Sequence, residues 1–138
     1  MFKCIALLKC KVGLSREAFI DYYETRHSAL IRGLLPGILE YRRNFVDREG
    51  MFVFDGAGPI DFDVVTEMWF ADRAAYDRFL AKASEPEIAR LIAEDEEKLF
   101  DRAVTRMMIV DERGANAIAQ SDPAVGPKDG DDEPAQVT

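Results

Sequence analysis

The sequence is short of the residue types on which most recognisable chemistry depends. It has two cysteines, Cys4 and Cys10, and a single histidine, His27. Both cysteines fall inside or at the end of one predicted strand, where extended backbone would hold them about 20 Å apart, beyond disulfide reach. Five residues between them and one histidine in the chain give no zinc motif. They are read as small hydrophobes in a reducing compartment. No apolar run approaches the roughly 18 residues that a membrane helix needs. There is no glycine-rich phosphate loop, no nucleophile elbow and no paired-cysteine redox motif, which argues against nucleotide, acyl-serine and disulfide chemistry. Positive charge is also lacking. The net charge is −8, with a pI near 4.7, so a phosphate backbone would bind against overall repulsion. Neither a nucleic acid nor a membrane partner is expected.

What is present fits one globular domain. At 138 residues, 48% apolar and 32% charged, the chain can bury a core of ordinary size. Its opening segment, MFKCIALLKCKVG, has an apolar run shorter than a signal core and no small-residue cleavage site after it. It reads as a first β-strand, and the expected location is cytoplasmic. Residues 112–138 differ from the rest: they lack aromatics and carry half of the net charge, with two basic and six acidic side chains. Such a segment cannot bury enough surface to offset its ordering. The division expected is therefore a folded domain over 1–111 and an acidic, disordered tail over 112–138.

Within the domain the elements alternate. After the first strand, Gly13 and Leu14 turn the chain, and Ser15 caps a helix running to about Ile31, with Glu17 in its first turn. GLLPG then breaks the helix, and ILEYRRNFV reads as a second strand. A Gly-rich connection from Arg48 to Asp61 leads to a third strand, DVVTEMWF. A helix follows from Asp72, in which Ala75, Tyr76, Phe79 and Leu80 recur at helical spacing. Pro86 opens a continuing or restarted helix that runs to about Phe100, and AVTRMMIVD reads as the fourth strand. The order is the split βαβ, or ferredoxin-like, arrangement: α+β, with a four-stranded antiparallel sheet. Both helical regions can lie on one face of the sheet. The other face keeps apolar residues exposed, and pairing two such faces in a homodimer removes that cost.

Phe19, Tyr23 and His27 fall at intervals of four and share a helix face, with Tyr22 and Arg26 on an adjoining stripe. His27 is placed near the C-terminal end of its helix, where the dipole favours the protonated ring. Read from the residues alone it is either a proton-transfer group or a structural histidine. On the third strand, alternation puts Val65, Glu67 and Trp69 on one side and Val64, Thr66, Met68 and Phe70 on the other. Glu67 beside Trp69 is a carboxyl in an aromatic setting. It can assist an imidazole, or pair with Arg106 or Arg43 across the sheet. Asp63, at the strand entrance, can act likewise or merely end the loop. Trp69, Phe70 and Met68, with Met107 and Met108, either line a cavity or fill the core.

The run Ser15-Arg16-Glu17-Ala18-Phe19 to Tyr22-Tyr23 and His27, then Pro36-Gly37 and Tyr41, resembles the EthD family of small dimeric α+β barrel proteins. So does Glu67-Met68-Trp69-Phe70 followed by Asp72. The likeness covers roughly residues 1–111. It implies a homodimer with its sheets face to face, a ligand cavity between each sheet and its helices, and a histidine at position 27 pointing into that cavity. The function it implies is less uniform: accessory proteins of oxidative degradation, or dehydratases, cyclases and decarboxylases of polyketide-type aromatics, with haem-binding proteins among related barrels. The leading expectation is a lyase or isomerase without a cofactor, acting on a small apolar carbonyl or phenolic compound. In it His27 moves the proton, Tyr23 positions an oxygen, Glu67 and Asp63 tune the imidazole, and Phe19, Tyr22, Trp69 and Arg106 bind the substrate. The alternatives are a non-enzymatic accessory or ligand-carrying dimer, and a haem-binding barrel using His27.

Overall fold

The computed structural model describes residues 1–114. Its strands are β1 (Phe2–Leu8), β2 (Glu40–Phe45), β3 (Val64–Phe70) and β4 (Arg106–Val110). They form one antiparallel sheet in the order β2-β3-β1-β4. This is the ferredoxin-like α+β arrangement that the element order predicts. The helices are α1 (Arg16–Tyr22), α2 (Ser28–Leu34), α3 (Arg73–Ala83) and α4 (Pro86–Glu96). None of them is long and apolar enough to cross a membrane, among the described residues.

Register decides which side chains meet the helices. Cys4, Ala6 and Leu8 pair with Met68, Thr66 and Val64, and together with Phe70 these residues are buried beneath the helical layer. Each large apolar side chain buried there contributes about 1.5–3 kcal/mol before entropy is counted. The intervening residues Ile5, Leu7, Val65, Glu67 and Trp69 point to the opposite, open face. On β4 the helical layer runs out, and Met107 and Ile109 remain exposed although they face the helix side.

The first helical stretch departs from its predicted form. Ser15 caps it as expected, its hydroxyl accepting the Ala18 amide at 3.1 Å. Beyond Tyr22, however, the backbone takes a π-helical turn over Tyr23–His27 and then continues in α2 to Leu34, three residues past the predicted end. The Ser28 amide reaches back five residues to the Tyr23 carbonyl. Two hydroxyls take up neighbouring carbonyls: Thr25 Oγ1 donates to Asp21 at 2.7 Å and Ser28 Oγ to Glu24 at 2.9 Å. Side-chain donors of this kind let the ladder shift register without stranding acceptors.

Two further boundaries moved. The last helix stops at Glu96 rather than Phe100, because the Lys11 amide bonds the Leu99 carbonyl and the Asp101 amide bonds the Lys9 carbonyl, both at 2.9 Å. That extended pairing brings Leu99 and Phe100 into the core. The fourth strand begins at Arg106, since Arg102–Val104 forms a short 3-10 turn capped by Asp101. Cys4 is buried and Cys10 half-buried, and both are thiols. Burial pushes the Cys4 thiol up to about 11, so it stays protonated and inert. Of the predicted tail, 115–138 lies outside the described residues. Glu112, assigned to that tail, bonds Lys3 and Trp69 of the folded sheet.

Candidate functional site around His27

Side chains of the π turn, α2, α3 and α4 line, together with the sheet, a half-open cavity of about 170 Å³. His27 lines it and is almost wholly buried, at 3% exposure. The i, i+4 stripe is realised: Phe19 meets Tyr23 edge-on at 6.2 Å between centroids, and Tyr23 meets the His27 ring at 4.8 Å and 87°. Phe100, from the segment after α4, closes on the imidazole at 5.1 Å.

The partner of the imidazole is Asp95. Its Oδ2 lies 2.6 Å from His27 Nδ1, and its Oδ1 accepts the Tyr22 hydroxyl at 2.9 Å. Burial works to raise the Asp95 carboxyl, but the hydrogen bonds from His27 and Tyr22 outweigh it and hold the group below its ordinary value. An ionised carboxylate at that distance requires a proton on Nδ1. Nε2, which has no partner among the described residues, is then the ring nitrogen left for a ligand.

Tyr23 supplies a second polar group. Its hydroxyl shares a hydrogen bond of 2.6 Å with Thr66 Oγ1, both residues being buried. Burial pushes Tyr23 up to about 12, and raises Tyr41, whose hydroxyl adjoins it, further still. Both phenols therefore remain neutral donors. The remaining wall is largely apolar, with Ile31, Leu35, Met68, Phe79 and Ile92 prominent and Glu96 and Thr105 at its polar margin. Glu96 is held by Arg102 at 3.0 Å.

The predicted site residues separate into two groups. Tyr23 and His27 line the cavity, whereas Phe19 and Tyr22 touch the group from outside it: Phe19 packs on Tyr23 and lines the separate cleft near Asp63, and Tyr22 bonds Asp95. Glu67, Trp69, Asp63 and Arg106 do not join them. Glu67 and Trp69 sit on the open face, because alternation gives the buried side to Thr66 and Met68. There Glu67 accepts Lys3 at 2.8 Å and Asn44 at 3.1 Å. Lys3 holds it below the usual glutamate range, the reverse of a carboxyl kept protonated for catalysis. The Trp69 indole donates to Glu112 at 3.0 Å, and the Lys3 ammonium lies 4.3 Å above its ring. Arg106 pairs with Asp61 at 2.6 Å, not with Glu67. Asp63 accepts the Cys10 amide at 2.8 Å and Arg48 at 2.7 Å, beside a separate cleft of about 560 Å³. His27 is also not near a helix end, since α2 carries the chain on to Leu34, so the dipole argument for its charge does not apply.

The carboxylate that does reach the imidazole was missed. Asp95 continues the stripe Ile88, Leu91 and Ile92 of α4, and an acid on an apolar stripe is the signal that pointed to it. Thr66, a polar residue on the otherwise apolar face of β3, is a similar signal.

The His27 ring is poorly placed to ligate haem: it is 3% exposed and walled by Phe100 at 5.1 Å and Tyr23 at 4.8 Å, which leaves no open face for a porphyrin.

The EthD domain family model matches residues 11–103. No curated protein matches this chain in sequence. Among solved structures, an ethyl tert-butyl ether d (ethd) family protein from Bacillus halodurans is 22% identical, with a TM-score of 0.54, covering 82% of this chain and 100% of its own. A protein from Arabidopsis thaliana is 13% identical at a TM-score of 0.56, covering 84% and 99%. SnoaB, a cofactor-independent oxygenase from Streptomyces nogalater, is 15% identical at 0.53, covering 84% and 96%. At these identities the likeness to each structure is one of fold.

Proposed function

The chain belongs to the EthD family, and from that membership and the geometry at His27 we propose a cofactor-independent lyase or isomerase for small, largely apolar carbonyl or phenolic compounds. The observation that carries this reading is the 2.6 Å contact between His27 Nδ1 and Asp95 beside a buried phenol. Asp95 fixes the tautomer and orientation of the ring, so that Nε2 accepts a proton from carbon next to a carbonyl, or returns one. The Thr66–Tyr23 contact allows either hydroxyl to donate; in the reacting arrangement proposed here Thr66 donates, and the Tyr23 proton serves the oxygen on which negative charge develops. Dehydration, cyclisation and decarboxylation share this enolate-like state. The oxygenase activity of SnoaB without a cofactor is consistent with a site of this fold working through its own side chains.

The test is turnover. A screen of phenolic and carbonyl compounds should find one that the protein converts. His27→Ala should then reduce kcat roughly 10²–10⁴-fold while circular dichroism and ligand binding persist. Intact turnover in that variant would end the catalytic reading and leave a ligand-carrying accessory protein, which the largely apolar wall of the cavity suits equally well.

The active form in this proposal is a homodimer joined through the open sheet face, where Ile5, Leu7, Val65 and Met108 present apolar surface. Light scattering should report twice the chain mass, and Val65→Lys should convert the protein to monomer. A wild-type monomer at micromolar concentration would refute this part.

A further inference from the structure

Resting on the homodimer proposed above, we infer that the half-open mouth of each His27 cavity is closed by the second copy of the chain. The partner's Phe52 and the partner's Phe54, from the tip of its β2–β3 connection, dock against Leu80 and Met107 at the rim. The first argument is an ordered apolar knob with nothing of its own chain to rest on. Phe52 is 79% and Phe54 76% exposed, and their rings pack edge to face at 5.0 Å. Gly50 and Gly56, at φ of +81° and +86°, turn the chain on either side. The Met51 amide bonds the Arg48 carbonyl at 3.2 Å and the Ala57 amide the Phe54 carbonyl at 3.1 Å. With Met51 and Val53 also exposed, the knob offers on the order of 400 Å² of apolar surface, the size of patch that marks an interaction site.

The second argument is a receiving surface on the same chain. Leu80 and Met107 line the cavity and are 37% and 41% exposed, and Ile109 continues that strip along the helix side of the edge strand β4. Knob and strip belong to the same end of the sheet. The connection is pinned at its base, where the Val46 amide bonds the Asp63 carbonyl at 2.9 Å. Asp61, within it, holds Arg106, the residue before Met107, at 2.6 Å. From Val46 to Phe52 the chain can reach up to about 20 Å, more than the width of a four-stranded sheet with strands about 4.8 Å apart. A partner's tip can therefore pass round β4 to its helix side.

The third argument is self-complementarity. A two-fold axis that seats one knob on one mouth seats the other pair as well, and the contact closes without leaving either patch free. Counted over both copies it buries roughly 1,400 Å², within the range of a stable interface. An anionic lipid surface suits the knob less well, because Glu49 and Asp55 flank it in a chain of net charge −8.

His27 is the sole histidine, so its acylation by diethyl pyrocarbonate reports access to the cavity without requiring turnover. Phe52→Ser/Phe54→Ser should react about tenfold or more faster than the wild type, the closing contact being lost. Chains carrying Phe54→Cys and Met107→Cys, co-expressed in a Cys10→Ser background, should be joined into a covalent dimer by a short bismaleimide, and Phe54→Cys alone should not. If the tip variant turns monomeric or fails to fold, the cross-link decides. Equal acylation rates in two dimeric proteins, no cross-link in the co-expressed pair, or a cross-link in Phe54→Cys alone would each overturn the inference. Such failures in a protein that light scattering shows to be dimeric leave the homodimer standing, whereas a monomeric wild type refutes both.

Discussion

The two faces of the sheet treat polar side chains in opposite ways. On the helix side Thr66, Tyr23 and Tyr41 are neutral hydroxyls buried among apolar neighbours, and the imidazole they surround is tied to one carboxylate. On the open side Lys3 is held by Glu67 and Glu112, each at 2.8 Å, and covers Trp69. Every group in that second set has a charged partner, and Glu67, Trp69 and Glu112 border a wide, mostly polar cleft of about 530 Å³ instead of an apolar cavity. A site that must admit and release an apolar ligand is better served by neutral donors around one mobile proton. A mutually satisfied charge network better serves to lock strands in register. The two kinds of environment lie one residue apart on β3, at Thr66 and Glu67.

That contrast makes its strongest prediction in kinetics. Asp95→Asn should lower kcat roughly a hundredfold or more, because the amide no longer enforces the tautomer with Nε2 free to take a proton. Glu67→Gln, one sheet thickness away, should leave kcat within about twofold. Steady-state assays of the two variants side by side decide the matter, and a severe loss in Glu67→Gln with little change in Asp95→Asn would reverse the assignment of the faces.

The sequence carried the fold further than it carried the site, for identifiable reasons. Element order and alternation are local properties, so the split βαβ topology and the Phe19-Tyr23-His27 stripe were legible. Alternation also told which residues of β3 share a side, but not which side turns inward. Glu67 and Trp69 were therefore grouped correctly with each other and wrongly with His27. Asp95 is 68 positions from His27, and their meeting depends on how α4 crosses the first helical stretch. No periodicity within either segment encodes that crossing. The π turn was equally hidden, since its only local trace is the pair of hydroxyls at Thr25 and Ser28, which also occur in ordinary helices.

A smaller effect should separate the faces in stability. Lys3→Met removes the cation between Glu67 and Glu112 and leaves two carboxylates facing each other over Trp69. Breaking a largely buried pair in this way should cost about 1–3 kcal/mol, read as a lower urea midpoint, with kcat on any accepted substrate unchanged. Thermal stability equal to wild type would mean that the network is replaceable by packing alone. A loss of kcat without loss of stability would tie the open face to the chemistry.

The gentlest perturbation is pH. Lys3 holds the Glu67 carboxyl below its ordinary value of 4.5, so the stability Glu67 contributes is complete above that value. It is lost as pH falls through the depressed folded value, because the unfolded chain takes up the proton first. Asp95 behaves in the same sense from its ordinary value of 3.8. Urea midpoints should therefore be level near neutrality and fall on acidification, first below 4.5 through Glu67 and then below 3.8 through Asp95. Each group contributes at most ~1.4 kcal/mol per pH unit to that slope. Glu67→Gln should shallow the earlier part and Asp95→Asn the later part, since Glu24, Glu112 and Asp61 are held low as well and keep their share of the slope. An acid limb of unchanged steepness in Glu67→Gln would show that the open-face network does not distinguish folded from unfolded carboxyls, and the contrast between the faces would then rest on the kinetics alone.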